Sequence, residues 1–193
     1  MDINYRIIKN LVCTLLFVIV GLDTYAQKDK YLIEAEAFQF KGKWLADRSA
    51  DCMGSAMLRL NGGGSLDEQF DALTVVNIME EGDYNVWVRS ADYEKLPGTR
   101  LFRLSVDEKP MKESGKHGKV GFYWENVGNV QLKRKKVLLR LHDTKKNFGR
   151  CDAILLVKDH SVKPNEMDRK EIGKWRKNPV KVETKGAGFD NVS

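Results

Sequence analysis

The chain has 193 residues, of which 42% are hydrophobic, which is enough for one domain with a proper core plus a tail. It carries 33 lysine and arginine residues against 27 acidic residues, a formal net charge of +6. Because no helix or loop concentrates this charge and the N-terminus carries an export signal, nucleic acid is excluded as an expected partner.

The N-terminus has the pattern of a secretory signal peptide. Arg6 and Lys9 precede an apolar run over residues 11–22, and small residues follow at the usual cleavage spacing in Thr24-Tyr25-Ala26. The apolar run is shorter than the ~20 residues that a membrane-spanning helix needs. We therefore expect residues 1–26 to be a signal peptide. The mature protein should be periplasmic or secreted, with no membrane span after cleavage.

Residues 27–159 have the pattern of one all-β domain. Short apolar or alternating stretches are separated by glycine- and Asx-containing turns about every ten residues, as in a β-sandwich or barrel. No long amphipathic helix interrupts them, which argues against a parallel βαβ architecture. The predicted strands are Tyr31–Phe38, Met57–Leu60, Gly64–Phe70, Leu73–Met79, Tyr84–Ser90, Leu101–Val106, Val127–Leu132, Lys136–His142 and Asp152–Val157.

Three of these strands alternate clearly between apolar and polar residues, the pattern of antiparallel strands with one wet face. They are Tyr84–Ser90, Leu101–Val106 and Lys136–His142. If they share a sheet, one outer face collects several side chains that could hold a ligand. The alternative is an ordinary solvated face with one tryptophan half covered by a loop. The residues concerned are Trp87, Arg89, Arg103, Arg140 and His142.

Residues 160–193 are predicted to be a short charged C-terminal tail. Asn165 to Lys177 has the pattern of a short helix around Met167, Ile172 and Trp175. A segment this polar is expected to bury little, so the remainder is interpreted as a disordered linker.

Three acids are expected to meet where the first and last strands pair. In a strand, Glu34 and Glu36 project from one face about 7 Å apart, and Asp152 opens a strand with the apolar character of a buried one. Gathered carboxylates repel unless a cation intervenes, and a hard cation such as calcium suits oxygen ligands. The alternatives are neutralisation by Arg150 or another basic side chain, and a hydrolytic pair of acids.

Two cysteines remain after the predicted cleavage, Cys52 and Cys151. In an exported protein they could form one disulfide if their Cα atoms lie within about 7 Å. They could equally be two separate buried thiols.

Templates for catalysis are weak, and we predict no enzyme activity. Asn61-Gly62-Gly63-Gly64-Ser65 lacks a following helix or lysine, and His142-Asp143 has no nucleophile at an identifiable elbow. Aromatic residues at strand ends and in loops favour a sugar-binding surface instead, because sugar rings stack on aromatic faces. Each aromatic could also anchor the core or a loop. They are Trp44, Trp87, Tyr93, Tyr123, Trp124 and Phe148.

Five motifs in order resemble a carbohydrate-binding-module-like domain of exported proteins from polysaccharide-degrading bacteria, similar to families 6 and 35. They are Ile33-Glu34-Ala35-Glu36, Met53-Gly54-Ser55, Val86-Trp87-Val88-Arg89, Leu141-His142-Asp143 and Phe148-Gly149-Arg150-Cys151-Asp152-Ala153-Ile154. The resemblance implies a jelly-roll, galactose-binding-like β-sandwich with a structural calcium held by Glu34, Glu36 and Asp152. Such domains often accompany FAD-dependent oxidoreductases, but no flavin fingerprint follows, so neither flavin nor nucleotide is expected.

We therefore predict a non-catalytic module that binds a glycan or polysaccharide. Trp87 would stack on the sugar, Arg89 and His142 would hydrogen-bond its hydroxyls, and Tyr93 and Trp124 would wall the site. The alternative is a structural or protein-interaction module, the accessory subunit or remnant of a larger polysaccharide-utilisation enzyme. A partner enzyme would then capture the segment from residue 172 to 175.

Overall fold

The computed structural model describes residues 28–62, 70–144 and 148–181. The predicted signal peptide, nearly all of the predicted strand Gly64–Phe70 and the end of the predicted tail lie outside these ranges. The described strands are β1 (Lys30–Glu34), β2 (Leu45–Arg48), β3 (Ala56–Arg59), β4 (Ala72–Asn77), β5 (Gly82–Ala91), β6 (Phe102–Val106), β7 (Lys109–Ser114), β8 (Phe122–Leu132), β9 (Lys136–Asp143) and β10 (Arg150–Val157).

The described residues include three short helical elements. Two are 3-10 turns, at Ala35–Ala37 and Pro164–Glu166, and one is the helix α1, at Arg169–Gly173. None of the described helices is long and apolar enough to cross a membrane.

The strands form two antiparallel sheets packed face to face. The six-stranded sheet has the order β2-β3-β10-β5-β8, with β1 also paired to β10, and the four-stranded sheet has the order β4-β9-β6-β7. Their inner faces share one apolar core, in which the Trp44 and Phe102 rings meet edge to face at 5.7 Å. This arrangement is a jelly-roll β-sandwich, and it confirms the predicted all-β fold class.

The first and last strands pair as the sequence predicts. Along β1 and β10, Ile33 lies opposite Ile154 and Glu34 lies opposite Ala153. The start of β10 instead pairs with β3, and its register against β5 shifts between Cys151 and Ala153. Asp152 therefore lies in a β-bulge, at the point where the neighbour of β10 changes from β3 to β1. A β-bulge changes the direction of the side chain it contains.

The three alternating strands do not share one sheet, so the condition for a common outer face is not met. β5 lies in the six-stranded sheet, whereas β6 and β9 lie in the four-stranded sheet. Trp87 therefore lies on the opposite outer face from Arg103 and His142. Period-two alternation determines which side chains face the core, but it carries no information on which sheet a strand joins.

The predicted polar tail packs on the sandwich over its described part. Ile172 is 1% exposed and joins a second apolar cluster, with Met167 and Trp175 against it, on the outer face of the six-stranded sheet. The backbone also pairs, because Leu32 N donates to Trp175 O and Lys177 N donates to Leu32 O, both at 2.9 Å. The structural unit therefore continues past residue 159.

Candidate functional site

A polar pocket lies on the outer face of the four-stranded sheet. Its volume is about 450 Å³. β6 and β9 supply its floor through their outward side chains, and β7 and the adjacent loops supply its walls. It is lined by Asp71, Arg103, Ser105, Glu108, Pro110, Glu113, His142, Asp143 and Thr144.

A line of three polar side chains crosses this pocket. Ser105 Oγ lies 2.7 Å from Nε2 of His142, and Nδ1 of His142 lies 2.7 Å from Oδ2 of Asp71. The Asp71 oxygen is buried and makes no aligned hydrogen bond within the described part of the chain, so its contact with the ring is a close polar contact rather than a hydrogen bond. Both ring nitrogens nevertheless have a polar neighbour, which fixes the orientation of the imidazole.

The connectivity of Ser105, His142 and Asp71 is that of a hydrolytic triad, but its setting differs. Ser105 sits within β6, paired with Arg140 of β9 and Pro110 of β7, and it is 6% exposed. In the α/β-hydrolases the serine nucleophile projects from a sharp strand-to-helix turn, whereas Ser105 lies inside a regular strand pair. We therefore interpret these residues as a network that holds His142.

An ion pair forms one wall of the pocket. Arg103 Nη2 lies 3.2 Å from Oε1 of Glu113, across the β6–β7 pair. Both side chains remain about a third exposed, at 42% and 31%, so part of each charged group faces solvent, whereas Arg103 Nε is buried and has no hydrogen-bond partner among the described residues. The pocket thus offers a planar guanidinium, carboxylates and an imidazole on one wet surface, beside the apolar ring of Pro110.

The structure does not bring the five predicted ligand residues together. His142 alone among them lines the pocket. Arg89 is 7% exposed and is bonded to Asp152, and Trp124 is 3% exposed, so both are inside the fold. Trp87 is half-buried in the apolar cluster beneath the C-terminal segment, and Tyr93 is exposed in the loop after β5, beside the Arg100 guanidinium.

Sequence reasoning found part of the pocket and missed the rest. Arg103 and His142 were identified as outward residues of alternating strands. Asp71 precedes β4 in a stretch with no alternation, and Glu113 lies on an edge strand that was not predicted, so neither carried a signal in the sequence.

The three predicted metal ligands meet around residues 53–55, although not as a strand predicts. β1 ends at Glu34, and Glu36 lies in the 3-10 turn Ala35–Ala37, so the two acids do not share a strand face. They converge on Gly54 instead. A Cβ atom there would lie 2.5 Å from Glu36 Oε1 and 2.9 Å from Glu34 Cδ.

Each of these carboxylates already faces a donor from the protein. Asp152 contacts Arg89 Nη1 and accepts from Met53 N at 3.0 and 3.1 Å. Burial raises the pKa of Asp152, and the guanidinium of Arg89 opposes that rise. Glu36 accepts from Ser55 N at 3.0 Å.

The third acid is held by the C-terminal segment. Glu34 Oε1 accepts from Arg176 Nε at 2.8 Å, and Nη2 of the same guanidinium lies 2.5 Å away. A calcium ion would have to displace these donors, and among the described residues no group of three acids, histidines or cysteines is arranged to hold a metal. These contacts favour the sequence-based alternative of a basic partner, with Arg89 and Arg176 in the role considered for Arg150.

The two cysteines are separate buried thiols in the structure. Burial, and then the neighbouring carboxylate of Asp152, raise the pKa of Cys52 to about 12. Burial also raises the pKa of Cys151 well above its usual value. The disulfide considered from the sequence is not formed.

The fold is that of a carbohydrate-binding module, as comparison with solved structures shows. A family 35 carbohydrate-binding module from Clostridium thermocellum is 19% identical with a TM-score of 0.52, covering 65% of this chain and 97% of that chain. The C-terminal CBM6 of LamC, a laminarinase from Zobellia galactanivorans, is 15% identical with a TM-score of 0.53, covering 67% of this chain and 100% of that chain.

A third similar structure is the GH26-CBM35 β-(1,4)-mannanase of Podospora anserina, at 13% identity and a TM-score of 0.55. The alignment covers 73% of this chain but only 30% of the mannanase chain. The sequence matches no family model and no curated protein. At identities this low, the structural similarity establishes the fold alone. The ligand has to be inferred from the residues of the site.

Proposed function

We propose that this chain is an exported, non-catalytic module that binds a glycan in the pocket of the four-stranded sheet. The observation that carries the proposal is the polar network of Ser105, His142 and Asp71 on an open sheet face of a carbohydrate-binding-module fold. Solved structures with this fold are described as carbohydrate-binding modules. The predicted signal peptide would direct the protein to the periplasm or the cell exterior, where it could encounter polysaccharides.

The pocket has the chemistry that sugar hydroxyls require. A hydroxyl donates one hydrogen bond and accepts others, so it is best held between a cationic donor and a carboxylate. Arg103 and Glu113, 3.2 Å apart, present such a pair. His142 offers a fixed ring, and Pro110 supplies an apolar surface for the C–H face of a sugar.

Affinity gel electrophoresis in a panel of soluble polysaccharides tests this proposal. We expect at least one polysaccharide to retard the wild-type protein. His142→Ala and Arg103→Ala should each weaken binding at least about tenfold, because one hydrogen bond to a charged group contributes about 1.5–3 kcal/mol. Tyr93→Ala, in an exposed loop outside the pocket, is the matched control and should bind as the wild type does. Equal loss in all three variants would contradict the assignment of the pocket.

A protein-interaction role is the second candidate, and one exposed apolar surface favours it. Leu96 and Val120 are 63% and 79% exposed. Their loops lie side by side because Asp92 accepts hydrogen bonds from Gly98 N and Gly118 N. This candidate, with a larger polysaccharide-utilisation enzyme such as an FAD-dependent oxidoreductase as partner, predicts that no polysaccharide retards the protein.

The segment from residue 172 to 175 is not the surface for such a partner. Ile172 is buried, and Trp175 packs against the same cluster and pairs through its carbonyl with Leu32. A partner could not capture this segment without first detaching it from the sandwich.

A further inference from the structure

We propose that Arg176 and Arg169 of the C-terminal segment, together with Arg89, neutralise the acidic site at the junction of β1 and β10. These arginines would replace the structural calcium that the family resemblance implies. The junction site is defined here as Glu34, Glu36, Asp152 and the backbone of residues 50–53. The inference concerns how the fold is closed and is independent of the proposed glycan pocket.

Four consecutive backbone carbonyls of the site face guanidinium groups. Arg169 Nη1 lies 2.7 Å from Asp51 O, 3.3 Å from Cys52 O and 3.4 Å from Ala50 O. Arg89 Nη1 donates to Asp51 O at 2.9 Å, and Arg176 Nη2 donates to Met53 O at 3.3 Å. Converging carbonyl and carboxylate oxygens create a strongly negative electrostatic potential, which the guanidinium groups offset.

The backbone of the C-terminal segment determines where Arg176 lies. α1 is capped by Asp168, whose carboxylate accepts from Lys170 N at 2.7 Å. After the helix, hydrogen bonds between Leu32 and both Trp175 and Lys177 bracket Arg176 and make a parallel bridge to β1. Because Leu32 is two residues before Glu34, this register places the guanidinium beside the Glu34 carboxylate.

The formal charges of the site balance without a metal. Three carboxylates, on Glu34, Glu36 and Asp152, lie near three guanidiniums. Arg176 pairs with Glu34 and Arg89 pairs with Asp152. The third guanidinium, that of Arg169, contacts the backbone carbonyls of residues 50–52, and Glu36 accepts from Ser55. A divalent cation added to this neutral set would need to expel one arginine, and Arg176, with 47% of its side chain exposed, is the one most accessible to exchange. The deeply buried pair of Arg89 and Asp152, at 9% and 0% exposure, would remain.

The consequence is a sandwich whose closure depends on its own C-terminal segment. In a calcium-held domain, the first and last strands are joined by an ion from solution, and a chelator loosens them. Here the segment that follows β10 returns across the six-stranded sheet and supplies the cationic groups itself.

Thermal unfolding of the full chain tests the proposal. The wild type should show the same Tm in excess calcium chloride and in excess EDTA. Arg176→Gln should lower the Tm by at least about 2 °C, the shift expected for roughly 1 kcal/mol in a domain of this size. Lys174→Gln is the matched control, because Lys174 belongs to the same segment but pairs with exposed Glu171 at 2.8 Å rather than with an acid of the junction site. It should leave the Tm unchanged.

A wild-type Tm that falls in EDTA, or rises in calcium, would overturn the proposal in favour of the metal. An Arg176→Gln variant as stable as Lys174→Gln would overturn it as well. If Arg176→Gln does not fold, the calcium and EDTA comparison on the wild type still decides between the two accounts.

Discussion

Asp152 and Arg89 form a buried ion pair across β10 and β5, with one carboxylate oxygen against Nη1 of the guanidinium. The pair exists because a β-bulge at Asp152 turns its side chain out of the ladder, and Arg89 lies opposite the next residue, Ala153. The sequence predicts different roles for these two residues: Asp152 as a metal ligand and Arg89 as a sugar ligand. In the fold each is the other's partner, so Arg89 is not available to a glycan.

Removing one member of this pair should be strongly destabilising. Asp152→Ala leaves the Arg89 guanidinium buried without its carboxylate, and we expect it to lower the free energy of unfolding by about 3–5 kcal/mol. Urea denaturation followed by tryptophan fluorescence measures the loss. Asp47→Ala, which breaks the partly exposed pair with Arg59, should cost less than about 1 kcal/mol. Similar losses in both variants would show that the Asp152 pair is not buried.

Gly54 is required by the close approach of two carboxylates. Gly54→Ala places a methyl group 2.5 Å from Glu36 Oε1 and 2.9 Å from Glu34 Cδ, so the bonds from Ser55 and Arg176 must shift. We expect a loss of about 1–3 kcal/mol in chemical denaturation. Gly173→Ala meets no atom within 4 Å and should be neutral or slightly stabilising. A neutral Gly54→Ala would mean that the acids do not converge on this glycine.

The burial of Ile172 makes the C-terminal segment part of the fold. Ile172→Ala should lower the free energy of unfolding by about 2–5 kcal/mol, because it opens a cavity in the apolar cluster over Leu32 and Leu155. Leu96→Ala, at a position 63% exposed, should change it by less than about 0.5 kcal/mol. Denaturation midpoints of the two variants measure the contrast. A disordered tail would give both variants the stability of the wild type.

The buried thiols should resist alkylation. Since the thiolate is the reactive form, burial and a pKa of about 12 for Cys52 predict negligible labelling by iodoacetamide of the native chain from residue 27 onward at neutral pH. Intact mass spectrometry should show two added labels after unfolding without reductant. Unfolded protein that takes up no label would instead reveal a disulfide between Cys52 and Cys151.

The sequence predicted the fold well where apolar residues alternate or run together. β5, β6, β9 and β10 were recognised, and the pairing of the first and last strands followed from their matching acids and apolar runs. β2 (Leu45–Arg48) and β7 (Lys109–Ser114) were missed because both lie at sheet edges. There polar residues and Pro110 are tolerated and leave no periodic signal.

The candidate site was harder to predict because it depends on which strands are neighbours. Trp87 and His142 have the same outward alternation, yet they face opposite sides of the sandwich. The local sequence pattern also could not show that Ile172 is a buried residue of a highly charged segment. Ile172 is buried in a cluster with Leu32 and Leu155, which are distant in the sequence. Long-range register determined both outcomes.

The glycan assignment can be tested residue by residue by NMR titration of the ¹⁵N-labelled chain with an oligosaccharide from a polysaccharide that retards it. We predict that the amide shifts of Arg103, Ser105, Glu113 and His142 change and saturate together, while those of Tyr93 and Trp124 stay in place. Shift changes confined to the loops around Tyr93, or no saturable change with any glycan, would contradict binding in the pocket of the four-stranded sheet.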